Sequence, residues 1–206
     1  MDQIHVLGIS GSPRRRGNTE TLVDEVLRGA EQAGASVEKV ILSECEIAPC
    51  DGCGACVASG ECVHQDDMEA LFDKMRRSQV WVLGTPVYWW GPSAQLKLFV
   101  DRWYAKVFLD QDKAIFRERR IVLVIPMGDG DASTARHTVG MFTDALAYVE
   151  ADLVATVLAP GVGDRGEVAS HAGVMAAARQ AGRQAVSRQM GIPPSPLPSP
   201  LEEREL

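Results

Sequence analysis

Residues 4–19 read IHVLGISGSPRRRGNT, and this stretch decides the fold. Ile4–Ile9 is a short apolar run ending in glycine-rich sequence, as a strand buried on both faces does. The loop that follows offers the hydroxyls of Ser10, Ser12 and Thr19, and the glycines Gly11 and Gly17 that let backbone approach a ligand. Asn18 and Thr19 then open a helix, whose unpaired N–H groups and positive end favour a phosphate. A Walker loop needs Lys and Ser/Thr after its last glycine, whereas Asn18 follows Gly17; Gly8 and Gly11 do not give a dinucleotide fingerprint either. The plain alternative is an ordinary polar loop, with Arg14–Arg16 as a solvated charge run.

Working outward, Leu22, Val23, Val26, Leu27 and Ala30 recur along one helical face that closes near Gly34. Val37–Leu42 reads as a second strand, Val80–Thr85 as a third, Ile121–Pro126 as a fourth and Leu153–Ala159 as a fifth. Helices are expected from Asp66, paired with Glu69 as a capping box, to Arg77, and from Pro92 to about Val107. Two more are expected over Thr134–Tyr148 and Glu167–Gln189. Strands and helices alternating in this way make an α/β fold with a parallel sheet covered on both faces. Right-handed crossovers and five strands favour the doubly wound order 2-1-3-4-5. The expected organisation is one domain over 1–190, with a cysteine-rich insertion over 43–65 and a disordered Pro/Ser-rich and charged tail over 191–206.

The chain has 206 residues and a net charge of −7, with no stripe of basic residues, so it carries no electrostatic footprint for nucleic acid. No apolar run approaches a membrane span and Met1–Ile9 is strand-like, so no membrane role is expected and the expected location is cytoplasmic. In a reducing compartment, five cysteines read as metal, cluster or redox chemistry before disulfides. Four of them, Cys50, Cys53, Cys56 and Cys62, have successive x2, x2 and x5 spacings, compact enough to wrap a cubane; structural zinc more often uses two separated pairs. Gly52, Gly54 and Gly60 supply turns there, and Cys45 stands outside the spacing as an apolar filler. A cluster, a cluster-free loop and zinc all remain open on these residues. His5 and His137 fall in regular elements, and no Ser/His/Asp or Cys/His set supports a hydrolase.

Gly8–Thr19, GISGSPRRRGNT, resembles the opening of the NADPH-dependent FMN reductase group of flavodoxin-like proteins, and Gly84–Arg102, GTPVYWWGPSAQLKLFVDR, resembles that family's flavin loop. The four-cysteine motif is similar to that of the iron-sulfur flavoproteins, which carry FMN and a [4Fe-4S] cluster; related reductases hold a similar stretch as a cap or dimer contact. The resemblance implies that Ser10, Ser12, Asn18 and Thr19, with Pro13 and Arg14 beside them, hold the FMN phosphate. It implies that Thr85, Pro86, Val87, Tyr88, Trp89 and Gly91 lie along the isoalloxazine, with Met127 and Gly128 as a third wall. Apolar and aromatic walls with a few backbone donors suit a flat ring, although Tyr88, Trp89 and Trp90 are equally readable as core or interface aromatics. No protein acid or base is then required, because the flavin carries the chemistry. The implied function is an FMN-dependent oxidoreductase passing electrons from NAD(P)H or a reduced carrier to a quinone, flavin or protein acceptor, as a homodimer or homotetramer. The rivals are an iron-sulfur electron-transfer flavoprotein and a non-catalytic interaction protein docking through its tail.

Overall fold

The computed structural model describes residues 3–59, 61–109 and 114–187. Five parallel strands, β1 (His5–Ser10), β2 (Ser36–Ile41), β3 (Val80–Gly84), β4 (Arg120–Pro126) and β5 (Asp152–Ala159), lie in the order β2-β1-β3-β4-β5. Strand periodicity explains how one short sequence serves two cores. Leu7, Ile9, Trp81, Leu83, Ile121, Leu123 and Ile125 point to one face, and Val6, Val80, Val82, Val122 and Val124 to the other. The second face is covered by α1 (Asn18–Gln32) and α7 (Ala172–Ser187), which pack on each other. The first is covered by α3 (Met68–Arg77), α4 (Ala94–Asp101) and α6 (Arg136–Tyr148), around a buried cluster of Trp81, Phe99, Trp103 and Phe116. The expected doubly wound sheet is the observed one.

The long helix expected over Pro92–Val107 is two helices, α4 and α5 (Tyr104–Leu109), the second packing beside α2 (Ala55–Ser59) of the cysteine segment. At the join the backbone tightens: Trp103 N–H donates to Val100 O and Lys106 N–H to Trp103 O, three residues back in place of four. The tightening places both Arg102 and Trp103 inside, 2% and 3% exposed. The Asp66/Glu69 capping box does not form. Asp67 occupies the N-cap position of α3 without a side-chain cap, its carboxylate accepting from Glu46 N–H, while the Asp66 carboxylate is turned to Arg102 and to the N–H groups of Ala48 and Met68. Glu69 instead pairs with Lys106 and Arg76. The last expected helix starts as a 3-10 turn at Glu167–Ser170 before α7. Gly60, residues 188–190 and the tail over 191–206 lie outside the described residues. Among the described residues, no helix is long and apolar enough to cross a membrane.

Candidate functional site

The carboxyl ends of β1, β3, β4 and β5 open onto one cleft of about 260 Å³, where a doubly wound sheet presents its ligands. From the phosphate-type loop, Ser12, Arg14, Asn18 and Thr19 line it; from the loops after β3 and β4 come Pro86, Val87, Tyr88, Met127 and Gly128. Ser10, Pro13, Thr85, Trp89 and Gly91 stand outside that lining. Gly11 is a required glycine: a Cβ there would lie 2.6 Å from the Leu96 Cβ and 3.0 Å from Gly84 O. That close approach seats the loop on the end of β3, with Gly11 N–H donating to Gly84 O at 2.8 Å.

Inside the loop, the three arginines have different work. Arg15 and the Arg16 N–H are both turned back onto Glu20, in the first turn of α1, and Arg15 also pairs with Glu44. Lys39 reaches the same carboxylate at 3.1 Å. Burial works to raise the Glu20 carboxyl, but the hydrogen bonds from Arg15, Arg16 and Lys39 outweigh it and hold it down at about 2. Arg14 remains on the cleft, its Nη1 donating to Gly163 O at 3.3 Å. Ser12 Oγ accepts from Arg14 N–H at 3.1 Å, which leaves its own proton free to donate.

Asn18 was expected as a helix cap and phosphate contact, yet Gly17 takes the cap position. The Asn18 amide donates to Val162 O at 3.1 Å and Asp164 O at 2.8 Å, and its Oδ1 accepts from Val168 N–H at 3.0 Å. It therefore clamps the loop after β5, whose Val162, Gly163, Asp164 and Arg165 form a fourth wall that sequence reasoning missed. This loop has no apolar period; its only sequence signal is its place after the last strand of the sheet. Backbone bonds chain the walls together, from Val87 N–H to Pro126 O, from Met127 N–H to Ala159 O and from Val162 N–H to Met127 O.

In the loop after β3, Thr85 is fully buried and supports the site from behind: its hydroxyl donates to Pro86 O and accepts from Ser93 N–H, both at 2.9 Å. Ser93 caps α4 through Leu96 N–H and donates its hydroxyl proton to Gly11 O, tying the two ligand loops together. Its sequence signal was a Ser placed just before an apolar helix. Tyr88 and Gly91 exchange backbone hydrogen bonds around Trp89 and Trp90, both left-handed (φ 50° and 61°), so the aromatic pair sits on a tight turn. A left-handed non-glycine residue costs roughly 1–3 kcal/mol, and strain of that kind clusters at ligand clamps. Trp89 is 92% exposed, which removes it from the core.

The four motif cysteines line one small hollow of about 20 Å³ with Asp51, His64, Arg102 and Tyr104. Cys50 and Cys53 are exposed, Cys56 buried and Cys62 half-buried. Gly52 and Gly54 carry left-handed turns (φ 70° and 71°) between the first three. Burial pushes the Cys56 thiol up, and the neighbouring Cys62, Cys50 and Cys53 push the same way. Arg102 Nη2 lies 3.4 Å from Cys62 Sγ. Among the described residues, no three His, Cys, Asp or Glu side chains stand close enough to hold one ion. Cys45, outside the hollow, packs half-buried against the core with its Sγ 3.5 Å from Ile41 O.

A five-stranded parallel sheet in this order, with a phosphate-type loop after β1 and a cleft at the switch point, defines a flavodoxin-like domain. The chain belongs to the NADPH-dependent FMN reductase family, whose profile matches residues 4–159. It is 45% identical over 96 residues to an iron-sulfur flavoprotein of Archaeoglobus fulgidus, a match covering 47% of this chain and 44% of that one. It is 44% identical over 97 residues to an iron-sulfur flavoprotein of Methanocaldococcus jannaschii, covering 47% and 50%. The matches thus span about half the length of these curated relatives. A solved NAD(P)H:quinone oxidoreductase from Methanothermobacter marburgensis superposes with a TM-score of 0.73 over 93% of this chain and 100% of that one. At 17% identity that likeness speaks for the fold alone.

Proposed function

We propose that the protein is an FMN-dependent oxidoreductase that takes electrons from NAD(P)H or a reduced carrier, and that Cys50, Cys53, Cys56 and Cys62 would hold a [4Fe-4S] cluster supplying one-electron transfer towards the acceptor. The carrying observation is the cleft itself, which joins a phosphate-type loop to an apolar slot with an aromatic edge. Its residues fit FMN. Ser12 and Thr19, with the N-terminus of α1, suit the phosphate, and Arg14 and Arg165 add positive charge at the same end. Pro86, Val87, Tyr88 and Met127 supply the walls of the ring site and keep water from its inner face. Bound FMN supplies hydride acceptance and one- or two-electron transfer, so the chain's task is to bind, orient and exclude water.

The cysteine loop fits a cluster in its donor set. Four thiols surround one hollow, two on the solvent side and two on the protein side, with a buried cation at the fourth. The hollow is smaller than a four-iron core, so the thiols would have to spread to admit it. The left-handed glycines 52 and 54 have open space around them for that movement. The cluster would supply one-electron transfer. The names of the relatives from Archaeoglobus fulgidus and Methanocaldococcus jannaschii support this reading. In it the protein works in the cytoplasm, as a homodimer or homotetramer, with exposed Trp89 and Trp90 suited to a subunit contact.

A visible spectrum of anaerobically prepared protein, with iron analysis, tests both cofactors. Flavin bands plus a broad brown shoulder and about four irons per chain are expected. C53A is expected to lose the iron and keep the flavin, whereas C45A keeps both. Flavin without iron after anaerobic reconstitution would leave a simple flavin reductase, and protein that binds neither would overturn the reading.

A further inference from the structure

Arg102 is 2% exposed, at the join between α4 and α5. A guanidinium so deeply buried has to be paired and hydrogen-bonded to be tolerated. Its Nη1 donates to Ala48 O at 2.8 Å and to Asp66 Oδ2 at 2.5 Å, and its Nη2 contacts Asp66 Oδ1 at 3.3 Å. Ala48 stands two residues before Cys50, and Asp66 four after Cys62, so one side chain staples both ends of the cysteine segment. A staple would be complete with those partners. Yet Nη2 also reaches Cys62 Sγ, while Nε has no hydrogen-bond partner among the described residues. Holding a fixed positive charge against a sulfur suits a sulfur that carries negative charge.

We propose that Arg102 is a positioning residue for the cluster: it holds Cys62 through an N–H···S hydrogen bond and, as a fixed positive charge, raises the reduction potential of the centre. The assignment rests on the cluster reading above. One-electron reduction adds a negative charge to the cluster and its thiolates. The N–H···S bond therefore strengthens on reduction, and the reduced form gains more from the guanidinium than the oxidised one. Asp66 partly offsets that charge from the other side, and Asp51, on the rim of the same hollow, acts in the same direction.

The test uses the full chain, reconstituted anaerobically with iron and sulfide, and reads iron content, flavin content and the midpoint potential of the cluster. R102M is expected to shift the one-electron equilibrium about tenfold towards the oxidised form, about 59 mV to more negative potential. R102K, which keeps the charge but not the fork, is expected to fall between R102M and wild type. D66N removes the offsetting carboxylate and is expected to move the potential the other way. Loss of iron uptake in R102M, restored by R102K, also supports the assignment. If R102M does not fold, as judged by flavin content, R102K carries the test. A variant that binds its full iron at the wild-type potential would overturn the proposal and leave Arg102 a staple alone. Wild-type protein that takes up no iron would overturn the cluster reading, and this proposal with it, while leaving the flavin site intact.

Discussion

Asn18 separates two accounts of the proposed flavin cleft. On the family resemblance it touches phosphate; in the structure its side chain makes three hydrogen bonds to the loop after β5, at 3.1, 2.8 and 3.0 Å. Each contributes about 0.5–1.5 kcal/mol net, so N18A weakens the docking of residues 162–168 by about 2–4 kcal/mol. A ligand that needs the docked loop loses affinity in proportion to the population that undocks, and 1.4 kcal/mol is already about tenfold. On the proposed reading this wall lines the cleft beside Met127, so it bears on the body of the ligand as well as on its phosphate. N18A is therefore expected to weaken FMN and riboflavin equally, each by at least about tenfold. Fluorescence titration of apoprotein with both ligands measures this. N18D, which faces a carboxylate against two carbonyl oxygens, is expected to be worse than N18A. If N18A loses FMN affinity but keeps that for riboflavin, Asn18 serves the phosphate and the clamp is incidental. If neither affinity changes, the loop is not a wall of the site.

Ser12 and Thr19 give the opposite pattern. The double variant S12A/T19A loses two hydroxyl donors to a dianion, worth about 1.5–3 kcal/mol each, and is expected to weaken FMN at least about tenfold while riboflavin binding is unchanged. A parallel fall for riboflavin would move the phosphate elsewhere. Glu20 makes the loop acid-sensitive. Its folded value of about 2 lies below the ordinary 4.5, so its contribution is complete above pH 4.5 and is lost as pH falls towards 2. The shift corresponds to at most about 3 kcal/mol, and screening at the half-exposed Arg15 reduces this to about 1–2. Urea unfolding should show a wild-type advantage over E20Q that shrinks between pH 4.5 and pH 2; an advantage independent of pH would remove Glu20 from the account.

The sheet was legible because its strands are short apolar runs, and the central β1, β3 and β4 are buried on both faces. Periodicity carried no information about where a helix breaks. The apolar spacing of Leu96, Phe99 and Trp103 runs straight through the join, and only the partners of Arg102, 36 to 54 residues away, explain why the chain tightens there. The reading of Asn18 as a helix cap failed for the same reason at longer range. A polar residue at a helix start has a local use as a cap, and nothing near it announces partners 144 to 150 residues on. The first wall of the cleft was readable from its glycines and hydroxyls, and the next two through the family resemblance. The fourth, Val162–Arg165, looked like any polar loop.

Both candidate cofactor sites meet on α4, which links their positions. Its first turn is fixed by Ser93 to the phosphate loop and to Thr85 behind the flavin slot. Its last residue is followed by Arg102, which closes the cysteine segment. Between them, Leu96 and Phe99 are fully buried, and Leu96 abuts the position where Gly11 lacks a Cβ. At 1.5 Å per residue, Ser93 and Arg102 stand about 14 Å apart along the axis. A short helix capped by one site, anchored at the other and packed in the core between them is a stiff spacer. On the proposed reading it holds flavin and cluster at a set separation within one chain, so a change that frees either end of α4 acts on both sites.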